Sequence, residues 1–386
     1  MADEQSSAED ATTLSRLRAR LGEVDRQLVE LVAERMRIVA EVAQAKARDA
    51  RAPFDRGRED QHLRQLEQLA AAQSLDLRVV RDLYGVLFAA SRNVQVAHKV
   101  ESLQKCAVGV VGGTAGMGRF LASTLRAAGF EVAVVGLESE ETPEQLAARV
   151  DLLVLAVPIA ITAEMAARVG PHVRAGGCLA DVTSLKSEPL AAMLAASAPE
   201  VEVVGTHPMF GPPQDPTRGG FDRQKVVICE GRGTRWKARL AELFAALGAE
   251  IVFATAAEHD RHMAIIQVLV HEKTMVMGSV LERLGADLAR SLDFASPIYR
   301  AELSMIGRMF SQSADLYAGI VTQNPEGARV LAAFRAEADR LTRLAEHGDR
   351  EGIAARFSTV ATFLHEFAAW ARRQSDAILA DLVRHG

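Results

Sequence analysis

Three groups of residues in this 386-residue chain have the types and spacing to do chemistry. The first is a set of polar side chains near the start. Arg35 and Lys46 are eleven residues apart, so on a helix they lie about 20° from facing the same way, with Arg18 about 100° round from Arg35. Asp55, Arg58 and Glu59 follow at i, i+3 and i+4, and Ser91 and Gln95 stand one turn apart. Singly, each reads as a solvated surface group. The second group is the turn in "VGVVGGTAGMGRFLASTLRAAGFEVAVVG", where a β-branched run meets a glycine-rich segment and then a helical pattern closed by Gly129. Such a unit seats the pyrophosphate of a dinucleotide on the free amides of a helix N-terminus. Its best register is Gly113, Ala115 and Gly118, which puts alanine where the backbone approaches the phosphates, with Gly116 beside it to supply clearance. The third is His207 in "VVGTHPMFGPP", between a β-branched run and a loop bracketed by Pro208, Pro212 and Pro213. It reads either as a surface loop residue or as an imidazole held at a strand end, where ligands of α/β sheets bind.

The elements that must position these groups fall into three regions. From Leu14 to about Ala47 there is no proline and one glycine, Gly22, and the apolar residues recur at helical spacing, which predicts a helix of roughly 30 residues. A helix that long must pack against other helices or a partner chain. "RAPFDRG" breaks it; a second helix follows from about Arg58 and a third from about Leu77 to Lys99. The runs "CAVGVVGG", "FEVAVVG", "DLLVLAVP", "GGCLADVTS" and "VEVVGTHP" then alternate with helix-like segments, predicting a parallel sheet covered on both faces. From about Ala256 onward the pattern is helical again.

A formal net charge of −5 argues against a protein-wide nucleic-acid footprint. Cys106, Cys178 and Cys229 have neither disulfide nor metal-ligand spacing and read as reduced core thiols. The start "MADEQSSAED" is not a signal peptide, and no apolar run reads as a membrane span. The expectation is a cytoplasmic protein with neither nucleic acid, membrane nor metal as a partner. The second strand of the dinucleotide unit ends at Gly136, and Glu138 and Glu140 follow with no Arg or Lys nearby. Acidic groups there repel a 2′-phosphate, which favours NAD over NADP.

"LRARLGEVDRQLVELVAERMRIVAEVAQAK", "DRGRE" and "SRNVQ" together resemble the all-helical chorismate mutase family over about ninety residues. The resemblance implies that Arg18 and Arg35 grip the two substrate carboxylates and that Lys46 and Gln95 donate to the breaking ether oxygen. It also implies that Asp55 and Glu59 orient the ring hydroxyl, with Arg58 and Ser91 in support. The rearrangement of chorismate to prephenate needs no nucleophile; it needs the reactive conformer held and the developing oxygen charge stabilised.

"DVTSLK", "HPMFGP", "EHDRHMAIIQ" and "SPIYRAELSMIGRMF" resemble the prephenate dehydrogenases, in the bifunctional arrangement that carries the mutase in front. That likeness implies three domains: residues 1–100 an all-α mutase domain, 101–255 an α/β Rossmann-type NAD-binding domain, and 256–386 an all-α substrate-binding and dimerisation domain. It implies cofactor contacts at Gly113, Ala115, Gly116, Met117, Gly118, Glu138 and Pro158. It makes His207 the base for the substrate's C4 hydroxyl, Arg308 a carboxylate partner, and Ser184 and Lys186 polar residues near nicotinamide and substrate. His271, a candidate substrate contact, and His259 align with family histidines of open role, and a core or structural role stays equally open for both. Val270 precedes His271 where the family often has arginine. A histidine of ordinary pKa would make the dehydrogenase rate rise with pH through roughly 6 to 7.5. A homodimer follows from the resemblance, and tyrosine is a candidate feedback inhibitor. Two other readings stay open: the same reactions on the 4-amino analogues of chorismate and prephenate, which His207 disfavours, and a non-catalytic sensor of NAD(H) or an aromatic amino acid, which has no use for Lys46, Gln95 and His207 together.

Overall fold

The structure, a computed structural model, describes residues 2–48, 56–99, 106–212 and 220–385. With no proline and only Gly22 to interrupt it, the first segment forms one helix, α1 (Ala2–Arg48). It starts before the expected Leu14, because the polar, alanine-containing stretch ahead of that residue holds no helix breaker. α2 (Arg56–Ala72) and α3 (Leu77–Lys99) follow, and α3 packs along both. Leu17, Leu21, Leu28 and Leu31 of α1 are more than half exposed, which leaves an apolar stripe uncovered along this helix in the single chain.

The middle of the chain alternates strands and helices. In order these are β1 (Val108–Val111), α4 (Gly116–Ala127), β2 (Val132–Val135), α5 (Pro143–Arg149), β3 (Leu152–Leu155), α6 (Ile159–Val169), β4 (Cys178–Asp181), α7 (Ser187–Ala196), β5 (Glu202–Pro208), β6 (Lys225–Arg232), α8 (Arg235–Ala246) and β7 (Glu250–Ala254). They form a seven-stranded sheet in the order β2-β1-β3-β4-β5-β6-β7. Its two faces are separate cores, and successive strand residues alternate between them as a pleated strand dictates. Val108, Val110, Leu152 and Val154 join Leu121, Leu125, Leu240 and Phe244 on one face. Val111, Leu153 and Leu155 join Leu146 and Met193 on the other. Cys178 and Cys229 are buried and Cys106 is half-buried, all three as free thiols.

The expectation of a wholly parallel sheet fails at one pairing, which leaves two strands running against the other five. β1 to β5 are parallel, but β6 runs antiparallel to β5, and β7 is parallel to β6. A parallel neighbour requires a crossover, usually a helix. The connection from β5 to β6 has no helix among its described residues, so the chain turns back on itself.

Helices complete the fold: α9 (Ala256–Met263), a π-helical turn at Ala264–Leu269, α10 (Val270–Arg283), α11 (Leu288–Leu292), α12 (Pro297–Phe310), α13 (Ala314–Gln323), α14 (Gly327–Glu346), α15 (Arg350–Phe363) and α16 (His365–His385). The continuous run Ala256–Arg283 is long and apolar enough by composition to cross a membrane, contrary to the expectation that no segment is. Its first turns nevertheless pack against β6 and α7 and carry the buried His259 and Asp260. That places His259 and Asp260 in the protein core.

Candidate functional site

The glycine turn is built by close approach. An added Cβ on Gly118 would lie 2.3 Å from the Gly112 carbonyl oxygen, so only glycine lets α4 pack this tightly on the turn leaving β1. Gly112 itself has φ +83°, a left-handed conformation that L side chains rarely adopt. Ala115 is extended at the N-cap of α4 and offers no side-chain cap. The first amides of the helix, at Gly116, Met117 and Gly118, therefore keep their hydrogen-bonding capacity for an anion. A Cβ on Gly116 would meet nothing within 4 Å. Pro158 is the N-cap of α6 after neighbouring β3, and Glu138 is exposed beyond the end of β2. This cradle fits a dinucleotide.

His207 is the second-to-last residue of β5, paired with Val227 of β6, and is only 3% exposed. It is thus a core residue of a strand end rather than a surface loop residue. Its Nδ1 lies 2.8 Å from His259 Nε2, and His259 Nδ1 lies 2.8 Å from Asp260 Oδ1. Asp260 also accepts from two backbone N–H groups at the start of α7, Lys186 at 2.9 Å and Ser187 at 2.8 Å. Burial pushes the His207 pKa well below its usual value, and neighbouring His259 and Lys186 add to that, so the ring is neutral at physiological pH. Burial likewise lowers His259 against the opposing pull of Asp260.

Lys186 takes a different place from the one expected of it. It is fully buried, with its ammonium paired to Asp181 and donating to the Thr206 carbonyl at 2.8 Å. Asp181 in turn accepts from the Thr206 N–H at 3.3 Å and the Thr183 N–H at 3.1 Å. With no exposed atom, Lys186 has nothing for a substrate to touch; it fixes the peptide that precedes His207. Ser184, two residues earlier, is half-buried in the same connection, next to Thr183, whose buried hydroxyl oxygen has no hydrogen-bond partner among the described residues.

A second cluster lies on the helical side. His271 of α10 meets the ring of Tyr317 of α13 edge-on, centroids 4.8 Å apart, and burial lowers the His271 pKa. Burial raises the Tyr317 phenol, and the nearby Arg308 guanidinium on α12 opposes that rise. Arg308 is exposed. The structure thus gathers His271 and Arg308 with Tyr317, and His207 with His259 and Lys186. The two groups share the helical run of α9 and α10. Tyr317, Asp181 and Asp260 were not picked out by sequence. Asp181 opens the block "DVTSLK" and Asp260 lies within "EHDRHMAIIQ", but an acidic residue there reads as a surface group until the fold places its partners.

At the front of the chain, Arg35 of α1 donates through Nη1 to Ser91 Oγ of α3 at 2.7 Å, with its guanidinium 5.7 Å from the Phe88 ring centroid. Arg18 is exposed, on the same helix but about 25 Å from Arg35 along its axis. Arg58 is exposed and Glu59 half-buried on α2. Lys46 and Gln95 fall in α1 and α3, and their side chains lie outside those described; Asp55 lies outside the described residues altogether.

Comparison with known proteins completes the picture. The chain matches the family models of chorismate mutase type II over residues 17–96, the prephenate dehydrogenase nucleotide-binding domain over 121–253 and the prephenate dehydrogenase dimerization domain over 255–359. It is 33% identical over 374 residues to the T-protein of Haemophilus influenzae, which spans 95% of this chain and 96% of that one. It is 31% identical to the 4-amino-4-deoxyprephenate dehydrogenase of Streptomyces pristinaespiralis, over 67% of this chain and 92% of that one. A solved structure of prephenate dehydrogenase from A. aeolicus, in complex with hydroxyphenyl propionate and NAD+, shares the fold with a TM-score of 0.54 at 16% identity, over 69% of this chain and 99% of that one. Fold and sites together define an enzyme that joins a helical mutase to a nucleotide-dependent dehydrogenase. The chain belongs to the T-protein family, the bifunctional chorismate mutases and prephenate dehydrogenases of tyrosine biosynthesis.

Proposed function

We propose that residues 1–100 convert chorismate to prephenate and that 101–255 with 256–386 oxidise and decarboxylate prephenate to 4-hydroxyphenylpyruvate. In the mutase, Arg35 presents a half-buried guanidinium to one carboxylate, held in aim by Ser91. Lys46 and Gln95 donate to the ether oxygen, Asp55 and Glu59 orient the hydroxyl, and Arg58 supports them. Arg18, too far along α1 to share a site with Arg35 of its own chain, reaches the site of a second copy. The uncovered apolar stripe of α1 supports the same homodimer.

In the dehydrogenase, NAD, when bound, supplies the acceptor for the C4 hydride. The amides of Gly116, Met117 and Gly118 hold its pyrophosphate, with Gly113 and Ala115 shaping the turn and Pro158 and Glu138 flanking it. Glu138 favours a free ribose hydroxyl over a 2′-phosphate. His207 removes the C4 hydroxyl proton as carbonyl character develops there. Arg308 and His271 hold the carboxylate end, with Ser184 near the reacting carbon. The proposed compartment is the cytoplasm, in keeping with three free thiols.

The observation that carries this reading is the burial of a neutral His207 at the end of β5, a strand of the same sheet whose β1 leads into the glycine cradle. Incubating the purified chain with chorismate and NAD+ tests it: NADH should appear only after prephenate forms. The likeness to a 4-amino-4-deoxyprephenate dehydrogenase favours one second reading, an amino substrate. Running prephenate against its 4-amino analogue in the same assay separates the two, and the hydroxyl substrate should give the higher kcat/KM.

A further inference from the structure

The ring of His207 has two nitrogens, and the surrounding contacts decide which one carries hydrogen. Burial works against ionised Asp260, but hydrogen bonds from His259, Ser187 and Lys186 outweigh it and lower the carboxyl pKa. A carboxylate only accepts, so the hydrogen between it and His259 resides on His259 Nδ1. His259 is neutral, which leaves its Nε2 as a bare lone pair. That lone pair faces His207 Nδ1 at 2.8 Å. Two lone pairs do not face each other at that distance, so His207 Nδ1 carries the hydrogen. A neutral His207 then has only Nε2 free as a base.

From this geometry we propose that His259 and Asp260 are positioning residues of the dehydrogenase, which lock His207 as its Nδ1–H tautomer and aim Nε2 at the substrate hydroxyl. The inference rests on the proposed role of His207. In the reaction the substrate O–H bond breaks and an N–H bond forms at Nε2, while the hydride passes from C4 to NAD+. The imidazolium that results keeps its Nδ1–H bonded to His259, with the Asp260 carboxylate beyond to offset the new charge. The charged groups facing the two rings are Lys186 ahead of α7, Asp181 at the end of β4 and Asp260 on α9. Lys186 is already tied to Asp181 and Thr206, so Asp260 is the carboxylate in contact with the relay.

The test uses full-length enzyme. In wild type with ¹⁵N-labelled histidine, NMR should give His207 a pyrrole-type Nδ1 and a pyridine-type Nε2; the reverse assignment overturns the proposal. His259→Leu removes the acceptor and should lower dehydrogenase kcat on supplied prephenate by roughly tenfold or more, since the partner that orients a catalytic histidine can be worth up to about 10⁴-fold. KM for prephenate and for NAD+ should stay within about twofold, because neither is touched. His259→Gln, whose Oε1 can accept from Nδ1, should recover several-fold of that loss. Binding of NAD+ by the same preparations, which His259 does not touch, reports that the dehydrogenase region of each variant is folded. Wild-type kcat in folded His259→Leu, or a glutamine variant as impaired as the leucine one, overturns the relay; should either variant fail to fold, the NMR assignment decides alone. A His207→Asn enzyme that still oxidises prephenate would instead overturn the role of His207 itself, so the two failures are distinct.

Discussion

Arg35 Nη1 reaches Ser91 Oγ at 2.7 Å across 56 residues of sequence, tying the long first helix to the third. Hydrogen bonds to charged groups contribute about 1.5–3 kcal/mol. Ser91→Ala should therefore lower mutase kcat/KM by roughly tenfold to a hundredfold. Dehydrogenase turnover on supplied prephenate should not change. Following chorismate loss and NADH formation in parallel checks both halves.

The same helix bears on assembly. Arg18→Ala and Lys46→Ala homodimers should each be dead as mutases. A heterodimer purified on two different tags holds one doubly damaged site and one intact site, and should recover about half of wild-type mutase activity by counting sites. No recovery in a verified heterodimer means that each site is built within one chain.

Acid behaviour follows from burial. His207 titrates below the ordinary 6.5, so dehydrogenase kcat/KM should be flat above about pH 6.5 and fall only at more acidic pH. This shifts the rise through 6 to 7.5 that an exposed histidine would give. The sign for stability is the same. Both His207 and His259 have folded pKa values below the unfolded value, so as pH falls below 6.5 the unfolded chain binds protons first. Stability contributed by the neutral rings is present above 6.5 and is lost as pH falls from there toward the folded values. A melting temperature that rises on acidification from pH 7 to 5 would contradict it.

Lys186 and Asp181 form a fully buried pair, and removing one partner leaves the other charge unpaired. Lys186→Met should destabilise the dehydrogenase region by about 3–5 kcal/mol. Adding Asp181→Asn should restore part of that. Denaturant unfolding of the single and double variants measures it, and an unchanged midpoint in Lys186→Met would contradict the pairing.

Much of this was legible in the sequence because the signals were local. The strands β1 to β5, the glycine turn, the three front helices and His207 each announce themselves within a few residues. What escaped depends on contacts between distant segments. β7 is partly exposed, with Phe253 at 59%, and its short apolar run resembles a loop flank. β6 is β-branched enough to read as a strand, but its direction is set by the return from β5, which has no helix among its described residues. Asp181 and Asp260 are acidic residues of the kind normally found at the surface. Nothing near Asp260 in sequence points to the two backbone N–H groups it accepts from, 74 and 73 residues away, and Lys186, though only five residues from Asp181, is shown to be buried against it only by the fold. Lys186 looked like a substrate contact for the converse reason: only the fold shows what surrounds it.

The central claim is that one chain carries two separable sites in sequence. The most direct measurement supplies chorismate and NAD+ to wild type, Lys46→Ala and His207→Asn enzymes and quantifies chorismate, prephenate and NADH over time. Wild type should pass chorismate through to NADH; His207→Asn should stop at accumulated prephenate; Lys46→Ala should leave chorismate untouched yet form NADH when prephenate is added. Loss of both activities in either folded variant, or NADH formation by the His207→Asn enzyme, would contradict the account.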